Sequence, residues 1–496
     1  MTDTTSTGST WDRRRRLVLG VIGLAQLMVV LDLTVMNIAL PSAQHALHFS
    51  TADRQWVVTA YTLAFGSLLL PGGKLTDLLG QKVTFLTGLI GFAAISAIGG
   101  ASVDFGMLVT ARAGQGAFAA LLVPSALSLL TTTFSEPKER GTAFGVYGAI
   151  AMAGSAAGLV LGGVLTQYLS WRWTLYVNPL FAGVAFAGGA LLLVRQPAQA
   201  RPKLDITSVL LASGGVFGLV YGLSNAASHS WSTPSTYGFI AIGVALLAVF
   251  ATWQSRAAYP LVPPRVVLDR NRAGAYASMF MTGAGMFGTF LFLTYYMQQT
   301  LGYSPVVTGL AFLPFSVASA AAANLSTIVL MPRFGPRPLA VFGILGAAVA
   351  TVWLAQLGPH TGYATGVLGP LIVDGFSLGL VISPAISTGT FDVAPQDAGV
   401  ASATVTVAQQ LGASIGTSLV NTIFAGAVAT YLGAHRNSAG LTESAAAHGY
   451  DTAFWWIAGI FTVGALIAGA MLPRGPLVPS GPPLKTADRP SAAHTN

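Results

Sequence analysis

The sequence has no cysteine, which excludes disulfides, thiolate catalysis and cysteine-held metal centres. Charge is nearly as scarce: Asp, Glu, Lys and Arg make up 8% of the 496 residues, against the roughly 25% typical of a soluble domain. Clustered histidine ligands are missing, and so is any nucleophile placed beside a base. Neither a resident metal nor an enzyme's constellation is therefore expected, and no cofactor is implied. Nothing matches the phosphate-cradling pattern G-x-x-x-x-G-K-[ST]. Alternating ten-residue segments of the kind that build a membrane β-barrel are also lacking.

What fills the chain instead is long, continuous apolar sequence. Apolar residues are 53% of the total and the mean hydropathy is +0.66, so the chain reads as an all-α integral membrane protein whose partner is the lipid bilayer. Fourteen spans are expected, beginning with 17–40 and ending with 452–472. The first is about 36 Å long at 1.5 Å per residue, too long for the apolar core of a cleaved signal peptide. The net charge of +8 raises the possibility of nucleic acid, but its distribution follows topology. Of the 24 Lys and Arg, all but Arg54, Arg112, Arg172 and Arg436 fall on the side of the N-terminus. By the positive-inside rule that side is cytoplasmic, and an even span count puts the C-terminus there as well.

An internal repeat divides the chain. Pro137, Gly141, Gly154 and Gly158 are spaced like Pro395, Gly399, Gly412 and Gly416, and Gly80, Lys82 and Gly88 echo Gly335, Arg337 and Gly343. Such repeats are the trace of transporters whose halves rock about a midplane site. The expected division is a cytoplasmic arm 1–16, a six-helix half 17–195, an inserted two-helix hairpin 196–255, a cytoplasmic linker 256–272, a second six-helix half 273–472 and a disordered tail 473–496.

Three charged residues lie well inside spans: Asp32, Arg112 and Asp374. An intramembrane carboxylate costs about 2.5 to 3.5 kcal/mol on insertion scales, so it faces protein or water and marks an ion or proton path. Asp32, in LDLTVMNIALP, and Arg112 lie at similar depth and are placed to approach each other. Desolvation favours the protonated carboxyl and a nearby guanidinium the ionised one, so moving the Arg relative to the Asp loads or releases a proton. A purely structural ion pair is the other reading, and for Asp374 the competing reading is satisfaction by Ser377 or Ser383. In the loop GGKLTDLLGQK, Gly73 and Gly80 permit tight turns, Lys74 and Lys82 anchor to the inner surface, and Asp77 is free to cap a helix N-terminus. Asp77 is expected to cap the span that starts near Gly399 when the protein is open outward. Gly154, Gly158, Gly162 and Gly163 give one span a smooth face for close packing. Met286, Phe287, Phe290 and Tyr295 are candidates to line an adaptable apolar cavity.

Taken together these motifs resemble the major facilitator superfamily, and within it the fourteen-helix drug:proton antiporters, over almost the whole chain. LDLTVMNIALP is similar to that family's first-helix motif. GKLTDLLGQK resembles its loop motif G-x-L-x-D-x-x-G-R-K, with Leu78 and Gln81 at two usually basic positions. RAGQGAFAA resembles the fourth-helix motif through Arg112, Gln115 and Gly116. GSAAGLVLGG resembles the antiporter motif of helix five, with Leu159 where a proline is usual, and WRWTLYVNP resembles the entry to helix six. The resemblance implies export of amphiphilic or cationic small molecules, driven by proton entry because no ATP-binding loop exists. It gives Asp32 and Arg112 to proton coupling; Asp374 joins them by its intramembrane position, and Asn37, Gln115, Met286, Phe287, Phe290 and Tyr295 are the candidates for substrate contact. Gly73, Asp77, Gly80, Lys82 and the helix-five glycines fall to gating. A monomer is expected. Symport, or export of one specific metabolite, is the alternative.

Overall fold

In hydrocarbon a backbone N–H or C=O finds no water, so spanning segments satisfy their hydrogen bonds internally as helices. The computed structural model describes residues 13–50, 53–134, 137–194, 205–228, 231–257, 260–393, 398–435 and 441–476, and among them there is no strand. The helices are α1 (Arg13–Leu47), α2 (Gln55–Leu79), α3 (Gln81–Gly100), α4 (Phe105–Thr133), α5 (Pro137–Tyr168), α6 (Trp173–Leu192), α7 (Ile206–Ser228), α8 (Pro234–Gln254), α9 (Arg270–Thr300), α10 (Pro305–Phe334), α11 (Pro336–Leu354), α12 (Tyr363–Gly389), α13 (Ala398–Ala434) and α14 (Leu441–Met471). A single short turn, Pro264–Val267, interrupts the connector before α9. The arm before residue 13 and most of the tail lie outside the described residues.

Several helices run past the apolar stretches that announce them. α1 takes in Arg13 to Arg16, and α14 starts at Leu441 rather than near residue 452, since LTESAAAHGYD contains no helix breaker strong enough to stop it. α2 continues through Gly73 to Leu79. Gly73 therefore makes no turn, and the chain reverses only at Gly80, whose φ of 88° is left-handed. Gly335, its echo, has φ 76° at the matching junction between α10 and α11.

The repeat has a literal counterpart in the packing. In the first half α2 packs on α4, α1 on α5 and α6, and α3 on α4 and α6; in the second α10 packs on α12, α9 on α13 and α14, and α11 on α12 and α14. Adding eight to each label of the first set gives the second. The halves meet along two seams, α2 against α13 and α5 against α10, which the same relation interchanges. The inserted hairpin α7–α8 packs through α7 on α13 and α2. Leu191, Val184, Phe342, Leu466 and Val349 are more than half exposed on the outside of the bundle, as residues facing lipid tails would be.

The start of α1, the start of α3 and the end of α6 lie on one face of the bundle. There Lys82 Nζ donates to Ala190 O and Leu193 O, each at 2.7 Å, and Arg14 Nη2 donates to Leu192 O at 2.8 Å. Lys82 thus serves the negative end of the α6 dipole. On the opposite, distal face the halves are tied together: Gln298 Nε2 donates to Ile38 O at 2.9 Å, Tyr295 Oη to Gln44 Oε1 at 2.6 Å, and Arg54 Nε to Asn421 Oδ1 at 3.1 Å. Residues 394–397 and the side chains of Asp77, Ala398 and Gly399 lie outside what is described, so the expected Asp77 cap falls there too.

Candidate functional site

The site is assembled by the first half. Arg112 and Gln115 are one turn apart on α4 and so share a face. The start of α4 is fixed by Asp104, whose Oδ1 accepts from Met107 N at 2.8 Å. Gly116 lets α4 settle on α2: a Cβ there would lie 3.0 Å from Phe65 N. That approach brings the Arg112 guanidinium over the Tyr61 ring, 4.6 Å from its centroid, and its Nε within 3.1 Å of Val57 O.

Into this corner α1 delivers Asp32. Arg112 Nη1 donates to Asp32 Oδ2 at 2.6 Å, while Oδ1 accepts from Gln115 Nε2 at 2.8 Å and Asn178 Nδ2 at 2.7 Å. Gln115 also receives from Arg112 Nη1 through Oε1 (2.9 Å) and gives to Ser96 Oγ (2.7 Å). Asp32 and Arg112 are each 1% exposed and Gln115 and Asn178 are fully buried. One carboxylate therefore meets donors from α4 and α6 on both oxygens, inside a five-helix cluster that also includes α2 and α3. A buried ion pair survives only with such complete hydrogen bonding. Protonating Asp32 would remove the only carboxylate that pairs with Arg112 among the described residues.

The other candidate residues are dispersed. Asp374, on α12 of the second half, is 1% exposed, and its Oδ1 has no hydrogen-bond partner. Neither expected hydroxyl satisfies it: Ser383 pairs with Thr327, and Ser377 lies against Gly346. Asn37 turns back on α1, its Nδ2 donating to Leu33 O at 3.3 Å. Both amide atoms of Gln115 are engaged in the Asp32 cluster. Phe290 stacks between Phe312 and Phe315 at 4.9 and 4.8 Å, and Met286 and Phe287 are half-buried beside the same core. Tyr295 is fully buried at the distal seam.

The glycines of α5 make close contacts. A Cβ on Gly154 would lie 2.8 Å from Leu27 Cδ1 and one on Gly162 2.9 Å from Val35 Cα, both on α1; Gly158 faces Thr34, and Gly163 faces Pro305 and Val306 of α10. Leu159, where a proline is usual in the resembling family, leaves α5 continuous from Pro137 to Tyr168. Sequence reasoning missed four participants: Ser96, Tyr61, Asn178 and Arg54. Asn178 had a signal, as the polar residue inside WRWTLYVNP, whereas Ser96 and Tyr61 become polar partners only through packing.

Fourteen helices among the described residues, a repeated half and a buried Asp32–Arg112 pair between helices are the architecture of a membrane transporter. The relatives agree. A puromycin resistance protein of Streptomyces alboniger is 45% identical over 463 residues, covering 93% of this chain and 92% of that one. A cephamycin export protein of Amycolatopsis lactamdurans is 37% identical, covering 80% and 83%. A tetracenomycin C resistance and export protein of Streptomyces glaucescens is 35% identical, covering 85% and 77%. Among solved structures, an auto-inhibited POT family peptide transporter superposes with TM-score 0.66 over 95% of this chain and 99% of its own, at 15% identity. A bacterial homologue of the human lysosomal transporter Spinster does so at 0.64 over 93% and 97%, again at 15%. These two likenesses show the fold alone. The chain belongs to the Major Facilitator Superfamily, whose pattern matches residues 22–417.

Proposed function

We propose that the protein is a proton-coupled antiporter of the cell membrane that exports amphiphilic or cationic small molecules by alternating access, acting as a monomer with both termini in the cytoplasm. The observation that carries this reading is the Asp32 cluster: a carboxylate buried between spans, ringed by donors, with Arg112 able to trade places with a proton. Resistance and export in the names of the relatives support efflux as the direction. Asp374, buried in the other half with an unpartnered oxygen, is the second proton-coupling candidate. Met286, Phe287, Phe290 and Tyr295 on α9, with Asn37 on α1, are the proposed substrate contacts; Gly73, Asp77, Gly80, Lys82 and the α5 glycines are the gating elements. Export of one specific metabolite is the second reading, favoured by relatives whose names each carry a single antibiotic.

The test is uphill transport in inside-out membrane vesicles energised by a pH gradient, with a panel of cationic and neutral drugs. Asp32→Asn keeps the shape and removes the titration. It is expected to insert normally, retain substrate binding and lose gradient-driven accumulation, while Asp32→Glu keeps partial activity with a shifted pH optimum. Wild-type uphill export by Asp32→Asn with unchanged pH dependence would move the coupling to Asp374, and failure to insert would support a structural ion pair. A C-terminal reporter active only outside the cell would overturn the proposed topology.

A further inference from the structure

Arg54 is the largest fully buried side chain at the distal seam, and among the described residues no carboxylate pairs with it. It stands at the start of α2, in the first half. Its guanidinium lies 4.1 Å from the ring centroid of Tyr295, 4.7 Å from that of Phe424 and 5.3 Å from that of Phe292. Nε donates to Asn421 Oδ1 at 3.1 Å, and Nη2 has no hydrogen-bond partner. Burying a cation is costly without a counter-charge. Here the negative faces of three aromatic rings stand in for one.

All of those rings belong to the second half: Phe292 and Tyr295 to α9, Phe424 to α13. Phe292 and Phe424 are braced from behind, Phe292 on Phe424 with centroids 5.1 Å apart, Phe424 on Tyr450 at 5.2 Å and Tyr450 edge-on to Tyr296 at 5.7 Å, while Tyr295 Oη donates to Gln44 of the first half. Separating the halves at the distal face therefore draws Arg54 out and leaves the cage standing. Aromatic cages of this kind recognise protonated amines and quaternary ammonium groups by their π faces, with no need of forked donors.

We infer that the cage of Phe292, Tyr295 and Phe424 is a binding site for an organic cation, and that Arg54 is its tethered occupant, seated while the distal face is closed and withdrawn when it opens. The inference rests on the reading of the chain as an exporter of cationic molecules and names where such a cation is held late in the cycle. Closure returns Arg54 to the cage at the high effective concentration of a tethered group. The cation is expelled outward as the face shuts, which gives release its direction. Arg112 and its partner Asp32 both belong to the first half, so the same separation does not draw them apart.

The experiment measures equilibrium binding of radiolabelled benzyltrimethylammonium to the purified full-length protein in lipid nanodiscs, without any gradient. Arg54→Gln empties the cage and is expected to bind the probe about tenfold more tightly than wild type, the gain of one added desolvated cation–π site. Arg54→Lys keeps a tethered cation and should remain near wild type. Adding Phe424→Leu to Arg54→Gln should return binding to the wild-type level. Binding by Arg54→Gln no tighter than wild type, or a gain that survives loss of the Phe424 ring, overturns the proposal. A second measurement avoids altering Arg54. Because the chain lacks cysteine, spin labels at Ala46→Cys and Ala434→Cys, both exposed near the distal face, report its opening. Saturating probe should lengthen that distance, and an unchanged distance overturns the cage. If no variant binds the cation, the cage and the organic-cation reading fall together; proton coupling is judged separately by comparing Asp32→Asn with wild type, a comparison that alters none of these rings.

Discussion

The two seams between the halves occupy equivalent places in the repeat and are built from opposite chemistry. Along α5 and α10 the contact is backbone on backbone: Gly163 lies against Pro305 and Val306 and Gly309 against Leu159, with Val306 N donating to Gln167 Oε1 at 3.3 Å. Along α2 and α13 it is a polar stripe. Arg54 reaches Asn421, Thr59 meets Ser418 at 3.4 Å, and Gln55, Gln410, Ser414 and Thr417 keep buried polar atoms with no partner among the described residues. Under the proposed alternating access the smooth seam is suited to slide, because glycine removes the side chains that would interlock. The polar seam is suited to part, because its groups could exchange partners with water, whereas lipid would offer them none. That difference accounts for the position of the hairpin: α7 covers the polar seam, with Val216 and Val220 packed on Leu63, Leu411 and Ile415.

Breaking the smooth seam should have the largest effect. In Gly163→Val the new Cβ would lie 2.5 Å from Pro305 O, and on the other side Gly309→Val would put one 2.9 Å from the Leu159 carbonyl carbon. Overpacking of this kind costs about 1 to 3 kcal/mol, all of it charged to the distal-closed arrangement, which corresponds to a shift of about 5-fold to 150-fold in the balance of states. Drug accumulation assays should show efflux largely lost although the protein reaches the membrane. The labels at Ala46→Cys and Ala434→Cys should report a more open distal face. Normal efflux by Gly163→Val would mean that the seam does not need its glycines.

The polar seam answers with the opposite sign. Gln55→Leu replaces a fully buried amide, neither of whose polar atoms has a partner, by an apolar group of similar size. Removing an unsatisfied buried group returns about 1 to 3 kcal/mol. The distal-closed state should therefore gain, thermal stability in detergent should rise, and turnover should slow severalfold. Lower stability in Gln55→Leu would show that the amide is engaged after all and that the seams differ less than their chemistry suggests.

This asymmetry was only half legible in the amino-acid sequence. The spans, the repeat and the pairing of Asp32 with Arg112 were readable, because an apolar run of fixed length and an intramembrane charge each carry a cost that few arrangements meet. The smooth face of α5 was readable as well, since four glycines within ten residues of a span have one ready use. The polar stripe was not. Gln410, Ser414, Thr417, Ser418 and Asn421 follow helical spacing on α13, but Ser and Thr are ordinary in membrane helices and mark a seam only once a partner helix is known. Arg54 was assigned to an external loop because it precedes an apolar run by one residue. The aromatic rings that make its burial tolerable come from residues more than two hundred positions away, a relation that no local pattern records. Gly73 misled for a related reason: glycine permits a turn without requiring one, and the packing of α2 on α4 keeps that segment helical.

The smallest effect is expected where the hairpin touches the polar seam. Thr422 Oγ1 donates to Leu223 O of α7 at 3.0 Å and also lies 2.9 Å from Ser418 O of its own helix. A hydroxyl shared in this way is worth little in a membrane, where side-chain hydrogen bonds between helices average about 0.6 kcal/mol. Thr422→Val keeps the shape and removes the donor, so efflux should change by less than about threefold. The apolar contacts of Val216 and Val220 should hold the hairpin in place. The informative comparison is with Val216→Ala and Val220→Ala together, which thin that contact and leave every hydrogen bond intact. If α7 serves to keep lipid off the polar stripe, the double alanine variant should lose more stability in lipid nanodiscs than Thr422→Val does. Equal losses would mean that the hairpin is held by its polar contact, and the account of why it lies on this seam and not on its counterpart would have to be given up.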